Sequence, residues 1–260
     1  MSSPEVESFL QQIKLPAADS HKGQNGKLLI IGGSELFHAA SKWSLDVASR
    51  LVDMVFYSSV PSNNELIQEA KSEFWNGIVV PRDEVEHYLE EADCVLIGPG
   101  MERSAETEEI VNSLLEKYSD KKWVVDAGAL QMVDPSLLNK NHIITPHSRE
   151  MELLDKKLAG QELAATVLLK GATDVIRSDG QEIEIEGGST GMTKGGTGDV
   201  LAGLVAGLYC NHDALTACVV GSYVNKKAGE ALHEKVGPYF NASDLAEVVP
   251  EVLWQEINKN

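Results

Sequence analysis

Short apolar runs alternate along the chain with longer stretches in which apolar side chains recur every three or four positions. The short runs suit strands buried on both faces, and the longer period suits helices that cover them. The runs predict strands at Lys27–Ile31, Met54–Tyr57, Gly77–Val80, Cys94–Ile97, Trp123–Asp126, Ile143–Thr145 and Val167–Lys170. Asp179-Gly180 predicts the turn of a hairpin that joins Asp174–Ser178 to Glu182–Glu186. Helices are predicted at Ala40–Leu51, Glu84–Glu91, Ala105–Lys117, Arg149–Lys157, Val200–Leu208, Ala214–His233 and Ala242–Trp254. In the fifth of these, Leu201, Leu204, Val205 and Leu208 share one face, while Gly203 and Gly207 permit close packing. This alternation predicts an α/β fold of three layers, α/β/α, around a mostly parallel sheet. No repeat and no Pro/Ser-rich linker interrupts it, so residues 1–260 read as one domain.

The unusual residues gather at the carboxyl ends of the predicted strands. They are Gly32-Gly33-Ser34, Gly98-Pro99-Gly100, Asp126-Ala127-Gly128, Thr145-Pro146-His147 and Lys170-Gly171. Open parallel sheets bind ligands outside these strand ends, so the segments point to one shared cleft.

Composition narrows the partners. With 22 basic against 40 acidic residues the net charge is −18, which argues against nucleic acid or an anionic membrane. Bound phosphates then require local backbone N–H groups and a few placed cations. Apolar runs such as Leu28–Ile31 and Val95–Ile97 fall far short of the ~20 residues that span a bilayer. The N-terminus lacks the basic start and apolar core of a secretory signal. Cys94, Cys210 and Cys218 have neither metal-ligand nor CxxC spacing and sit in apolar surroundings, as expected of free thiols in the cytoplasm. Trp43, Trp75, Trp123 and Trp254 read as core or surface anchors.

The sharpest feature is Gly187–Asp199, GGSTGMTKGGTGD, which opens an apolar helix. Its glycines let the backbone approach a ligand closely, and the amide groups at the helix start, with the positive end of its dipole, form an anion site. A flexible loop capped by Asp199 accounts for the glycines without chemistry. The abutting apolar helix, late in an α/β chain, favours the anion site. It is not a Walker A loop, because no Gly-Lys pair followed by Ser or Thr occurs in it. An aspartate held there can take the proton from a substrate hydroxyl while backbone dipoles stabilise the phosphoryl group in transfer. The motif GGTGDxLAG resembles that of the ribokinase-like kinases.

Further motifs narrow the resemblance. Ser20-His21-Lys22-Gly23 before IIGGS, IGPGM (Ile97–Met101), VVDAGAL (Val124–Leu130), TPHSREMELL (Thr145–Leu154), LLKGATDVI (Leu168–Ile176) and TGMTKGGTGDVLAG (Thr190–Gly203) run in the order found in the NAD(P)H-hydrate dehydratase family. The resemblance spans about residues 20 to 207. It implies repair of the 6S-hydrate of NADH or NADPH: a nucleotide phosphorylates the hydrate hydroxyl, and phosphate then leaves. ADP, giving AMP, or ATP would be the co-substrate, accompanied by Mg2+. The resemblance makes Asp199 the base. It places the nucleotide on Lys170, Gly171, Ala172, Thr173, Asp174, Gly195, Gly196 and Gly198, and the hydrate beside Ala40, Gly100, His147 and Asp199. It also implies a homotetramer, with any companion epimerase on a separate chain.

Each residue has a plainer reading too. Lys170 suits a solvated strand end, His147 a helix cap, and Ala40 and Gly100 ordinary packing; Glu150 suits either a helix cap or a metal-bound water. The chain also departs from the family pattern. Gly128 stands for the second Asp of DADAL, Ser148-Arg149 for Pro-Gly, and Asp174 for a threonine; Lys194 precedes the paired glycines, and GGSELFH lacks the glycines that follow GGS. Lys170 is expected to neutralise nucleotide phosphates, and the added charge of Asp174 is expected to favour ADP over ATP. Two other functions compete: a small-alcohol kinase of the hydroxyethylthiazole-kinase type, which would share GGTGD, and a nucleotide sensor without catalysis.

Overall fold

The computed structural model describes residues 4–259. Strand β1 (Lys27–Ile31) lies between β2 (Met54–Ser58) and β4 (Cys94–Ile97), with Leu29 opposite Phe56 on one side and Val95 on the other. Short β3 (Ile78–Val79) flanks β2, while β5 (Lys122–Val125), β6 (His142–Ile144) and β7 (Thr166–Leu169) extend the parallel array beyond β4. The hairpin of β8 (Asp174–Ser178) and β9 (Gln181–Ile185) completes the nine-stranded sheet in antiparallel sense.

Alternation along each strand builds two cores. Leu28 and Ile30 belong to the core that α2 (Ala39–Ala48), α8 (Thr197–Asn211), α9 (Ala214–Val236) and α10 (Ala242–Ile257) build on one face of the sheet. Leu29 and Ile31 face α4 (Val85–Glu91), α5 (Ala105–Lys117) and α7 (Ser148–Leu158). All four side chains are fully buried, and the predicted three layers are present. Helix α8 is buried continuously from Val200 to Cys210, which explains why its sequence is apolar on every face. Among the described residues no helix is long and apolar enough to cross a membrane.

The strand order reverses between β1 and β4, and there the adjoining loops part to leave a crevice. The Gly33 amide donates to the Pro99 carbonyl at 2.7 Å and ties the two loops together beneath it. Gly32 is packed against the same Pro99 carbonyl and underlies the crevice without lining it.

Three helices escaped the sequence pattern. Helices α1 (Pro4–Leu10) and α3 (Pro61–Glu69) bury only two residues each, too few for a visible stripe. Helix α6 (Ala127–Met132) is short and starts on a residue at φ +45°. Asp126, Thr145 and Lys170 fall just past their strands because the chain turns away there, although the Lys170 amide still reaches the Pro146 carbonyl at 2.8 Å. Helix α8 begins at Thr197, ahead of the predicted Val200, so Asp199 occupies its first turn and Gly196 its cap.

Candidate active site

Gly196 sets the shape of the anion loop. It lies at φ +95°, and a side chain there would also meet the Trp43 ring at 2.3 Å, so the loop lies flat against that indole only with glycine. The Thr197 hydroxyl donates to the Met192 and Lys194 carbonyls at 2.6 and 2.9 Å, drawing the loop into a closed turn. The first acceptor within α8, the Gly196 carbonyl, is taken by the Val200 amide, so the amides of Gly198 and Asp199 precede the hydrogen-bonded ladder. Those amides and the helix dipole face a cavity of about 810 Å³ that also reaches Lys170, Gly171 and Lys226.

A second cavity, of about 910 Å³, lies on the other side of the loop, lined by Phe37, Ala40, Trp43, Gly100 and Arg103 among others. Ala127, Gly195, Gly196 and Asp199 border both cavities. Asp199 therefore stands where two bound molecules would meet. Its main chain is fixed by the Ser44 hydroxyl, which donates to the Asp199 carbonyl at 2.8 Å.

The electrostatics at this junction are strong. Burial pushes the Asp199 carboxyl up to about 7, with the Asp126 charge adding to the rise and Lys170 opposing it. Lys170 donates to Asp126 at 2.8 Å, and the Thr145 hydroxyl donates to the same carboxylate oxygen at 2.7 Å. Burial alone would lower the Lys170 ammonium, but Asp126, Glu150 and Asp199 outweigh it and hold the group above its ordinary value. Lys170 is thus a clamped cation beside Gly198 rather than a solvated strand-end lysine.

His147 and Glu150 form the reciprocal cap of α7. The His147 ring accepts from the Glu150 amide at 3.2 Å, and the Glu150 carboxylate accepts from the His147 amide at 2.9 Å. Gln131 occupies the other oxygen of Glu150 at 2.8 Å. His147 borders the cavity of the anion loop, on the opposite side of Asp199 from Ala40 and Gly100. Gly171, Ala172 and Asp174 line that same cavity, whereas Thr173 does not.

Asp174 calls for a correction. Its side chain is buried and ion-paired with buried Lys226 at 3.4 Å, and its carboxylate also accepts from the Gly171 amide and the Ser222 hydroxyl. Its charge is cancelled inside the protein, so it supplies no electrostatic reason to prefer ADP. Lys194 is likewise withdrawn, donating to the Pro238 carbonyl and lying over the Phe240 ring. Gly128 has no room for the carboxylate of the family pattern, since a side chain there would sit 2.0 Å from the Met101 carbonyl.

Asn225, Lys226 and Trp43 line the cavities without a site role predicted from the sequence, and the sequence places Asp126 at the cleft only as a strand-end residue. Asp126 carried a signal, as the acid at a strand end. Lys226 carried a weaker one, falling one helical turn after Ser222 on the buried face of α9. Trp43 lines the second cavity instead of serving only as an anchor.

The model of the family described as NAD(P)H-hydrate dehydratase matches residues 28–251. The bifunctional NAD(P)H-hydrate repair enzyme of Methanocaldococcus jannaschii is 35% identical over 252 residues, covering 94% of this chain and 51% of its own length. The ADP-dependent (S)-NAD(P)H-hydrate dehydratase of Cenarchaeum symbiosum is 34% identical over 266 residues, covering 90% of this chain and 91% of its own. The chain spans about half the length of the bifunctional relatives it matches. In fold it is similar to the ADP/ATP-dependent NAD(P)H-hydrate dehydratase of Bacillus subtilis co-crystallized with ATP/Mg2+, with a TM-score of 0.80 at 22% identity over 97% of each chain. The match to the family model, together with these relatives, places the chain in the NAD(P)H-hydrate dehydratase family.

Proposed function

We propose that this chain restores NADH or NADPH from the 6S-hydrate, using ADP or ATP as phosphoryl donor. The observation that carries the reading is Asp199, a carboxylate tuned to about 7 at the junction of two cavities, one of them floored by an anion loop. The nucleotide lies in the cavity of Lys170, Gly171, Ala172, Gly195, Gly196 and Gly198, its phosphates on the amides at the start of α8. The hydrate lies across the junction, beside Ala40 and Gly100, with its hydroxyl on Asp199.

The chemistry follows from that placement. Asp199 takes the hydroxyl proton as the oxygen attacks the terminal phosphoryl group, forming one P–O bond while the bond to AMP (or ADP, when ATP is used) breaks. Hydroxide, a poor leaving group, has become phosphate, a good one. The ring nitrogen pushes its electron pair as the C–O bond breaks and phosphate departs, and the neighbouring carbon gives a proton to water, which restores the double bond. The helix-start amides hold the phosphoryl charge, and the fixed junction brings donor and acceptor into line.

Mg2+ would enter with the nucleotide. Among the described residues no group of three His, Cys, Asp or Glu is arranged to hold a metal, and Asp126 and Glu150 already have partners. Such residues suit an ion carried on the phosphates and its waters, whose charge would ease phosphoryl transfer. The names of relatives support ADP as donor. A homotetramer and a separate epimerase belong to the same reading, and sedimentation of the purified chain checks the first.

Incubation with NADH hydrate plus ADP or ATP tests the function. Recovery of reduced-nicotinamide absorbance with AMP and phosphate as products supports it. A stable phosphorylated alcohol would favour the small-alcohol kinase, and binding of nucleotide without turnover would favour the sensor.

A further inference from the structure

Helix α9 reaches the nucleotide cavity with Asn225 and Lys226, and the two are not equivalent. Ser222 and Lys226 are committed to the protein: the Ser222 hydroxyl donates to Asp174 at 2.7 Å, and Lys226 donates to the Gly171 and Ala172 carbonyls at 3.1 and 2.9 Å. These contacts fix the Gly171–Asp174 turn to α9. Asn225, beside Lys226, also lines the cavity and is only 4% exposed, yet its side-chain oxygen is buried with no hydrogen-bond partner. A buried amide oxygen without a partner is costly unless a ligand supplies one. Asparagine is also a poor choice for the middle of a buried helix on propensity alone.

The chemistry of the missing partner can be narrowed. Phosphates offer only acceptors and are drawn to the start of α8, so they do not satisfy an amide oxygen. Leu201 and Met192 line the same cavity as Asn225 and give it an apolar wall suited to a flat ring. A purine with an exocyclic amine presents a donor next to a ring-nitrogen acceptor, the edge that an asparagine amide matches with both of its ends. The terminal torsion of asparagine is soft, so the amide can turn its oxygen toward such an edge without moving the helix. Resting on the proposed use of a nucleotide, we infer that Asn225 reads the base edge of that nucleotide, selecting adenine by accepting from its exocyclic amine.

ADP and IDP test this at the N6/N7 edge, because they share ribose and phosphates and IDP offers only acceptors there, leaving the amide oxygen no donor. Calorimetry without hydrate isolates base recognition from turnover. The wild-type protein binds ADP about 10-fold more tightly than IDP. Asn225→Leu brings the two affinities together, and Asn225→Asp, which can only accept, widens the gap; any effect of its charge on the phosphates cancels in the ratio. 2′-Deoxy-ADP binds the wild type and Asn225→Leu with the same ratio to ADP, since the ribose is not the group read. An ADP-to-IDP ratio that survives in Asn225→Leu, or a 2′-deoxy effect that vanishes with it, overturns the inference. Failure of the dehydratase reading looks different: the nucleotide binds with these ratios while no reduced nicotinamide returns.

Discussion

Asp199→Asn separates the chemical role of this side chain from its structural one. The amide keeps the size and can still occupy the first turn of α8, but it cannot accept a proton. Loss of a general base is worth ~100- to 10,000-fold in rate, and we expect turnover of NADH hydrate to fall by that order. Stability should move the other way. An acid whose pKa is raised on folding binds its proton more tightly in the native state. It therefore costs nothing below the ordinary carboxylate value of 3.8, and its penalty grows until the pH passes the folded value of about 7. That interval corresponds to at most about 4 kcal/mol, and the part of the group that still meets water reduces it. Thermal melts of the two proteins should coincide near pH 4 and diverge in favour of the variant above pH 7. In the wild type, kcat/KM should rise with pH through an ionisation near 7, a limb the variant lacks. Near-normal turnover in Asp199→Asn would reduce Asp199 to a residue of the helix start. Melts that favour the wild type at pH 8 would refute the burial argument.

Lys170→Met leaves Asp126 buried without its cation, so we expect a loss of about 3–5 kcal/mol in denaturant unfolding. Removing the charge that opposes the rise at Asp199 should also move the ionisation of kcat/KM to higher pH, and nucleotide affinity should fall more than hydrate affinity. Lys226→Met breaks the buried pair with Asp174 at a similar cost, while the double change Lys226→Met with Asp174→Leu should recover part of it; a double mutant no more stable than the single one would show that the pair is not the reason. Gly128→Asp, which restores the family's acidic residue, should lower the melting temperature and turnover together, because its side chain must displace the Met101 carbonyl.

Much of this site was legible because its signals are local. The glycines of Gly187–Asp199 and the apolar residues after them specify a loop opening a buried helix, and the buried segments Leu28–Ile31 and Cys94–Ile97 declare themselves as continuous apolar runs. Pairings between distant segments left no such mark. A lone Asp174 reads as charge added to a nucleotide site, and nothing local to Lys226 marks its partner. Only when β8 and α9 are packed together do they cancel, and a suspected determinant of nucleotide charge becomes the strut that holds the Gly171–Asp174 turn. The same step explains why Asn225 went unnoticed: its meaning lies in the partner its amide lacks, and that can be seen only after every neighbour has been placed. The departures from the family pattern are therefore best read in pairs. Gly128 answers the Met101 carbonyl, and Asp174 answers Lys226, so Asp174 adds no free charge to the cleft. The charges that remain at the junction are those of Asp126, Glu150, Lys170 and Asp199, and the tuning of the proposed base depends on them.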